Sequence, residues 1–293
     1  MFTSCCPGWV RFAKTRYPEL AKKLSTTKSP QQIFGALAKT YYAEILGVDP
    51  AKIFVVSYMP CVAKKMEAAY PGMDSTGTGP DVDAVLSVRE LTRQLRQRFV
   101  NVDLLEEEDF DRPLGVATGA GHIFGVTGGV MEAALRTAYN FVTGENPDAD
   151  AFHEICSEGP ERGWREKEFQ LPNRTLRIAV ASGLANADAL CRAIERGEAS
   201  YDFVEVMACP GGCVGGGGQP IIEGFNLSAD RGCTLRIIDE QSELRFSHEN
   251  PAVKACYDDL LGEPLSERAE ELLHSDHGDW AMPFRVTADG TEA

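Results

Sequence analysis

The stretch Cys209-Pro210-Gly211-Gly212-Cys213-Val214-Gly215-Gly216-Gly217-Gly218-Gln219-Pro220 constrains this chain more than any other. Two cysteines stand four residues apart, and beyond them the chain loses nearly all its side chains. The run before it, Phe203-Val204-Glu205-Val206, reads as a buried strand. Pro210 suits the first turn of a helix, where its missing N–H is no loss. The spacing therefore predicts a helix start that puts Cys209 and Cys213 on one face. Two thiolates aimed one way and walled by glycine suit a bulky metal cofactor that the backbone approaches closely. A phosphate-cradling loop fits less well, because neither Gly-Lys-Ser/Thr nor a spaced G-x-G-x-x-G follows. Structural zinc more often uses closer cysteine pairs.

Two further stretches carry cysteine in a comparable setting. Thr3-Ser4-Cys5-Cys6-Pro7-Gly8-Trp9-Val10 precedes a helical pattern through Phe12, Tyr17, Leu20 and Leu24. Cys6 thus stands just before a helix N-terminus, a position that favours negative charge. Lys52 to Ser57 reads as a buried strand. It delivers Met59-Pro60-Cys61-Val62-Ala63-Lys64-Lys65-Met66-Glu67 at its C-terminal end, where open α/β sheets place ligands. Lys64 and Glu67 follow Cys61 at helical spacing on one face, although alone they would read as solvated residues.

The remaining patterns set the class. Helices are expected near Gln32 to Leu46, Val88 to Phe99, Val130 to Val142 and Ala185 to Arg196. Strands are expected at Val82 to Leu86, Thr175 to Ala181 and Tyr201 to Met207. The last two strands flank a helix, so a parallel pair is expected. Residues 146–174 read as the region of a lobe boundary. Two short helices are expected from Pro251 to Leu273, and a frayed tail over 276–293. Cys191, Cys233 and Cys256 read as packing residues, with Cys233 just before a strand-like Leu235 to Ile238. Glu106 to Asp109 reads as a solvated acidic face.

An odd count of nine cysteines in a long chain argues against a secreted disulfide framework. With no signal-peptide pattern at the start, a reducing cytoplasm is expected. No apolar run is long enough to span a bilayer, so no membrane insertion is expected. A net charge of -15 argues against nucleic acid and anionic lipid surfaces.

Together, the three cysteine stretches resemble the three signature motifs of the catalytic domain of [FeFe]-hydrogenases. The resemblance runs through nearly the whole chain, including Ser29 to Gly35 and Ile123 to Gly129. It implies an α/β fold over 1–275, with two lobes of twisted mixed or parallel sheet flanked by helices and the cofactor in the cleft between them. It implies reversible formation of H2 from protons and electrons. Cys6, Cys61, Cys209 and Cys213 would hold a [4Fe–4S] cluster. Cys213 would bridge to a diiron subcluster carrying CO, cyanide and azadithiolate ligands.

By the same resemblance Lys64 would donate to a cyanide ligand, and Gln31 would lie close to the diiron ligands. Met59, Pro60, Phe124 and Met207 would line the pocket. Cys5 would be the first protonic group, and Ser25 a later member of the proton path. A ferredoxin-like carrier or an electron-transfer subunit, together with maturation proteins, would be the partners. An acidic carrier needs a local basic patch, for which Lys22, Lys23, Lys28, Lys64 and Lys65 are candidates. The family carries a further segment before the first motif that this sequence does not contain, so the first lobe is expected to be incomplete. The alternatives are a non-catalytic iron–sulfur protein, a hydrogen sensor, or an inactive fragment on the same scaffold.

Overall fold

The computed structural model describes residues 1–154, 163–172 and 174–277. Two sheets organise them. In the first, β1 (Val56–Met59) runs parallel to β2 (Ala84–Ser87). In the second, β3 (Trp164–Leu171) pairs antiparallel with β4 (Arg174–Ser182), and β4 pairs parallel with β5 (Phe203–Met207). The architecture is mixed α/β, as expected, although sequence reading did not anticipate β3, where charged residues alternate with few apolar ones.

The N-terminus extends the second sheet. Phe2 bridges in parallel to both Val204 and Leu24. Thr3 N donates to Val204 O at 2.9 Å, and Val204 N donates to Met1 O at 2.9 Å. The segment therefore runs beside β5 and in its direction. Cys5 and Cys6 leave the sheet at the edge where Met207 leads into Cys209.

Packing explains why β4 is so apolar. Its residues alternate between two covered faces. Ala179 and Ala181 join Trp9, Val10 and Ala13 of the helix Pro7–Arg16, and Leu190 of the helix Leu184–Glu195. Ile178 and Val180 pack on Met131 and Leu135 of the helix Gly129–Thr143. Full burial of a side chain such as Leu190 contributes about 1.5–3 kcal/mol. A buried ion network then joins that helix to the helix Ser228–Gln241: Arg136 bonds Glu132 at 2.7 Å and Asp239 at 2.8 Å.

Several local expectations change. The strand expected from Lys52 starts at Val56, after a turn of 3-10 helix over Pro50–Lys52 held by the Asp49 side chain. It is also half open: Val56 is 41% and Tyr58 46% exposed. β1 has a single partner strand among the described residues, so its alternate side chains face outward. Cys233 lies within the helix Ser228–Gln241 and is exposed, because the stretch read as a strand continues a helix. Cys191 and Cys256 are buried as expected. Part of the proposed boundary, 155–162, and most of the expected tail, 278–293, lie outside the described residues. Just before that tail, Ser275 N donates to Thr26 O at 2.7 Å.

Glu205 on β5 links sheet and helix. Its fully buried carboxylate accepts from Gly128 N at 2.6 Å and Met131 N at 2.7 Å, capping the helix Gly129–Thr143. Burial pushes its pKa up to about 7, against the pull of those two donors. A raised carboxyl pKa stabilises the fold fully below the ordinary value of 4.5, and that contribution is lost as pH rises through about 7. Glu205→Gln should flatten this part of the profile of urea midpoint against pH. An unchanged slope would show that Glu205 does not carry it.

Candidate metal centre

Four cysteines converge from three places. Cys6 caps the helix Pro7–Arg16, with Pro7 as the first helical residue. Cys61 follows the end of β1 and precedes the short helix Ala63–Glu67. Cys209 and Cys213 follow β5, but not on a helix as expected. Gly211 and Gly212 take positive φ values of 80° and 97°, which breaks a helix after Pro210. Gly212 N closes a turn onto Cys209 O at 3.0 Å, and Cys213 opens a single 3-10 turn over Cys213–Gly215.

Glycine lets this loop close on its neighbours. Gly218 N donates to Pro60 O at 2.8 Å. A Cβ on Gly216 would stand 2.2 Å from Pro60 O, and one on Gly212 would stand 2.7 Å from Gly125 O. Thr127 N bonds Gly211 O at 3.1 Å, and Gly211 N donates to Ser182 Oγ at 2.9 Å. These contacts bring the Cys209–Cys213 turn against both Pro60-Cys61 and the Ile123–Gly129 loop.

The thiols share one partly buried region. Burial is the largest cause raising Cys61, Cys209 and Cys213, with Cys213 pushed up to about 12. Cys6 adds to all three, and Cys61 also acts on Cys209 and Cys213. Cys5 is likewise pushed up to about 12 by burial, with Lys64 pulling the other way. Burial and mutual repulsion favour the protonated thiols, and binding a metal would require their deprotonation. Among the described residues, no three His, Cys, Asp or Glu stand close enough to share one metal ion. Cysteine thiols from three segments that act electrostatically on one another are the donor type that iron–sulfur clusters use.

Lys64 is the cation of this region. It is 8% exposed, and its Nζ donates to Cys5 O at 2.9 Å and to Glu67 Oε2 at 2.9 Å. Glu67 also accepts from Ser29 Oγ at 2.8 Å and from Gln31 Nε2 at 3.2 Å. The ammonium is thus paired within the chain, which offsets the cost of its burial. Gln31 Oε1 is buried without a hydrogen-bond partner, an acceptor facing no donor of the protein. Sequence reading treated Glu67 as a surface residue. Its spacing three residues after Lys64 was the available signal.

The expected wall residues are variously placed. Met207 is buried at the end of β5, Met59 ends β1 with Pro60 after it, and Phe124 packs beside Val214 and Leu235. Ser25 stands in a turn, bonding Thr27 N through Oγ and His277 through its carbonyl. No hydrogen bond among the described residues links Ser25 to Cys5. Of the five expected basic candidates, Lys28 is buried beside Asp81, Lys64 is internal, Lys65 pairs with Glu90 and Lys22 with Glu19, which leaves Lys23 exposed and without an ion pair among the described residues.

Residues 1–217 match the family model of the iron-only hydrogenase large subunit, C-terminal domain. The chain belongs to the iron-only hydrogenase family. Residues 227–280 match the iron hydrogenase small subunit. The chain is 48% identical over 276 residues to the NADP-reducing hydrogenase subunit HndD of Solidesulfovibrio fructosivorans, covering 94% of this chain and 46% of that protein. It is 44% identical over 279 residues to iron hydrogenase 1 of Clostridium pasteurianum, covering 94% and 48%. The chain thus spans about half the length of these relatives. It is also 31% identical over 284 residues to the cytosolic Fe-S cluster assembly factor narfl of Xenopus tropicalis, covering 94% and 58%. Among solved structures, an apo [FeFe]-hydrogenase HydA1 from Chlamydomonas reinhardtii superposes with TM-score 0.80 at 41% identity, covering 94% of this chain and 75% of that one.

The glycine closure has a direct test. Gly216→Ala forces the Cys213 loop away from Pro60 and should cost about 1–3 kcal/mol, the range for overpacking. Gly217→Ala should be near neutral, because nothing lies within 4 Å of its added Cβ. Urea denaturation of both variants checks this. Equal losses would contradict the closure.

Proposed function

We propose that this chain is the catalytic part of an [FeFe]-hydrogenase, catalysing reversible reduction of protons to H2. The observation that carries the reading is the close approach of three cysteine-bearing chain segments, with the buried Lys64 bonded to Cys5 O beside them. Cys6, Cys61, Cys209 and Cys213 would hold the [4Fe–4S] cluster, and Cys213 would connect it to a diiron subcluster carrying CO, cyanide and azadithiolate. When bound, that group supplies an open iron site at which H2 is split or formed heterolytically.

The chain's own residues do the rest. Lys64 presents N–H donors to an anionic ligand while Glu67 and the Cys5 carbonyl hold it in place. Gln31 is fixed through its amide nitrogen, and its buried Oε1 stays without a hydrogen-bond partner in the protein. Met59, Pro60, Phe124 and Met207 exclude water. Cys5, whose burial holds it protonated at neutral pH, keeps a transferable proton beside Lys64. Ser25 would act further along the proton path, without a direct hydrogen bond to Cys5. The open faces of Val56 and Tyr58 support a first lobe completed by polypeptide outside these residues. Domain 1–275 would then be one catalytic unit with a tail over 276–293.

A second reading, an iron–sulfur protein without hydrogen chemistry, has the likeness to the assembly factor behind it. The higher identities, 48% and 44%, are to hydrogenases. An anaerobic infrared spectrum of the chain reconstituted with iron, sulfide and a diiron cofactor separates them. Sharp protein-bound CO and cyanide bands that vanish on Cys213→Ala are expected. A bound iron–sulfur cluster with no such bands would favour the second reading. No helix among the described residues is long and apolar enough to cross a membrane.

A further inference from the structure

A groove of about 560 Å³ lies beside the Cys213 loop. One wall is the helix Val88–Gln97, and the other is the segment Pro220 to Ile222. Arg89, Arg93 and Arg96 recur at helical spacing and all line the groove. All three are exposed. The helix carries a single carboxylate, Glu90, which is committed to Lys65 at 2.8 Å and does not line the groove. Arg93 and Arg96 form no ion pair among the described residues.

The opposite wall is apolar and open: Ile221 is 77% and Ile222 52% exposed. Exposed isoleucine beside unpaired guanidinium is the make-up of a protein-binding patch, apolar at the centre and charged at the rim. No carboxylate lines the groove, on a chain whose net charge is -15. An acidic partner is repelled by most of this surface and attracted here, so the arginines set its orientation as well as its rate of arrival.

The groove also adjoins the cysteines. Arg89 N donates to Gly218 O at 2.9 Å, and its guanidinium donates to Gly217 O at 2.6 Å. Gly218 in turn packs so closely on Cys61 that an added Cβ would stand 2.9 Å from Cys61 N. One layer of glycine backbone, without side chains to thicken it, separates the groove from Cys61. We propose that the face formed by Arg89, Arg93, Arg96, Ile221 and Ile222 is the docking surface for an acidic electron-carrier protein. This rests on the hydrogenase reading, because it names the partner of that same centre.

The test is the affinity of the full chain for a purified acidic [2Fe–2S] ferredoxin, measured by calorimetry at low and high salt. Arg93 and Arg96 are varied, and Arg89 is left in place because it supports the glycine loop. R93E/R96E should weaken binding at low salt by about tenfold or more, the scale of electrostatic focusing, with the difference fading at high salt. R93K/R96K should retain most of the affinity. Ile222→Ser should weaken binding at both salt concentrations. An unchanged affinity in R93E/R96E with an unaltered melting curve, or no binding by the parent chain, would overturn the proposal. Binding that follows the arginines in a chain showing no CO or cyanide bands would overturn the hydrogenase reading and leave the docking surface standing.

Discussion

The closure of the Gly215–Gly218 backbone onto Pro60 is the contact on which the rest depends. It joins the end of β1 to the loop after β5, two places that no sheet connects. A hydrogen bond from Gly218 N to Pro60 O spans the gap, and glycine at 216 and 218 leaves no atoms to hold the two backbones apart. This approach sets Cys61 beside the Cys209–Cys213 loop, while Lys64 Nζ ties the same segment to Cys5 O at 2.9 Å. The parallel run of Met1–Thr3 beside β5 supplies Cys6 to the same edge. Three chain ends thereby face one another at the C-terminal edges of strands, where peptide groups and loops are free to bind.

Electrostatics then decides what such a place can hold. Protonated thiols are pushed up by burial and by one another, and one lysine stands among them. Glu67 neutralises that lysine through a contact three residues along the same helical turn, and Ser29 and Gln31 fix the carboxylate. The first sheet's side therefore supplies Cys61 and a charge-balanced polar cluster, while the second sheet's side supplies Cys6, Cys209, Cys213 and an apolar floor. The buried Arg136 network plays a different part: it fastens residues 228–241, in the region matching the small subunit, to the helix Gly129–Thr143.

Much of this was legible in the sequence. Apolar periodicity placed the helices over 32–46, 88–99, 130–142 and 185–196 to within about a few residues, the usual uncertainty of element ends. The family emerged from the cysteine motifs together. Other features were hidden for physical reasons. Cys209-Pro210 has the signature of a helix start, but a signature in sequence does not weigh the φ values that a loop packed against Gly125 and Pro60 demands. β3 has no apolar alternation because one of its edges and much of its surface face outward. Glu67 looked like a solvated residue because its partners, Ser29 and Gln31, come from far along the chain. The basic patch was sought among lysines near the motifs, whereas the groove beside the Cys213 loop is lined by arginines of the helix Val88–Gln97.

The central claim is that four cysteines, brought together by the glycine closure, form one iron–sulfur site. Mössbauer spectroscopy of the chain reconstituted anaerobically with 57Fe and sulfide tests it most directly, applied to serine variants of each cysteine. The account predicts a full cubane signal in the parent chain and in Cys5→Ser and Cys233→Ser. It predicts a lost or degraded signal in the serine variants of Cys6, Cys61, Cys209 and Cys213. An intact cubane in any of those four variants, or its loss in Cys233→Ser, would contradict the assignment.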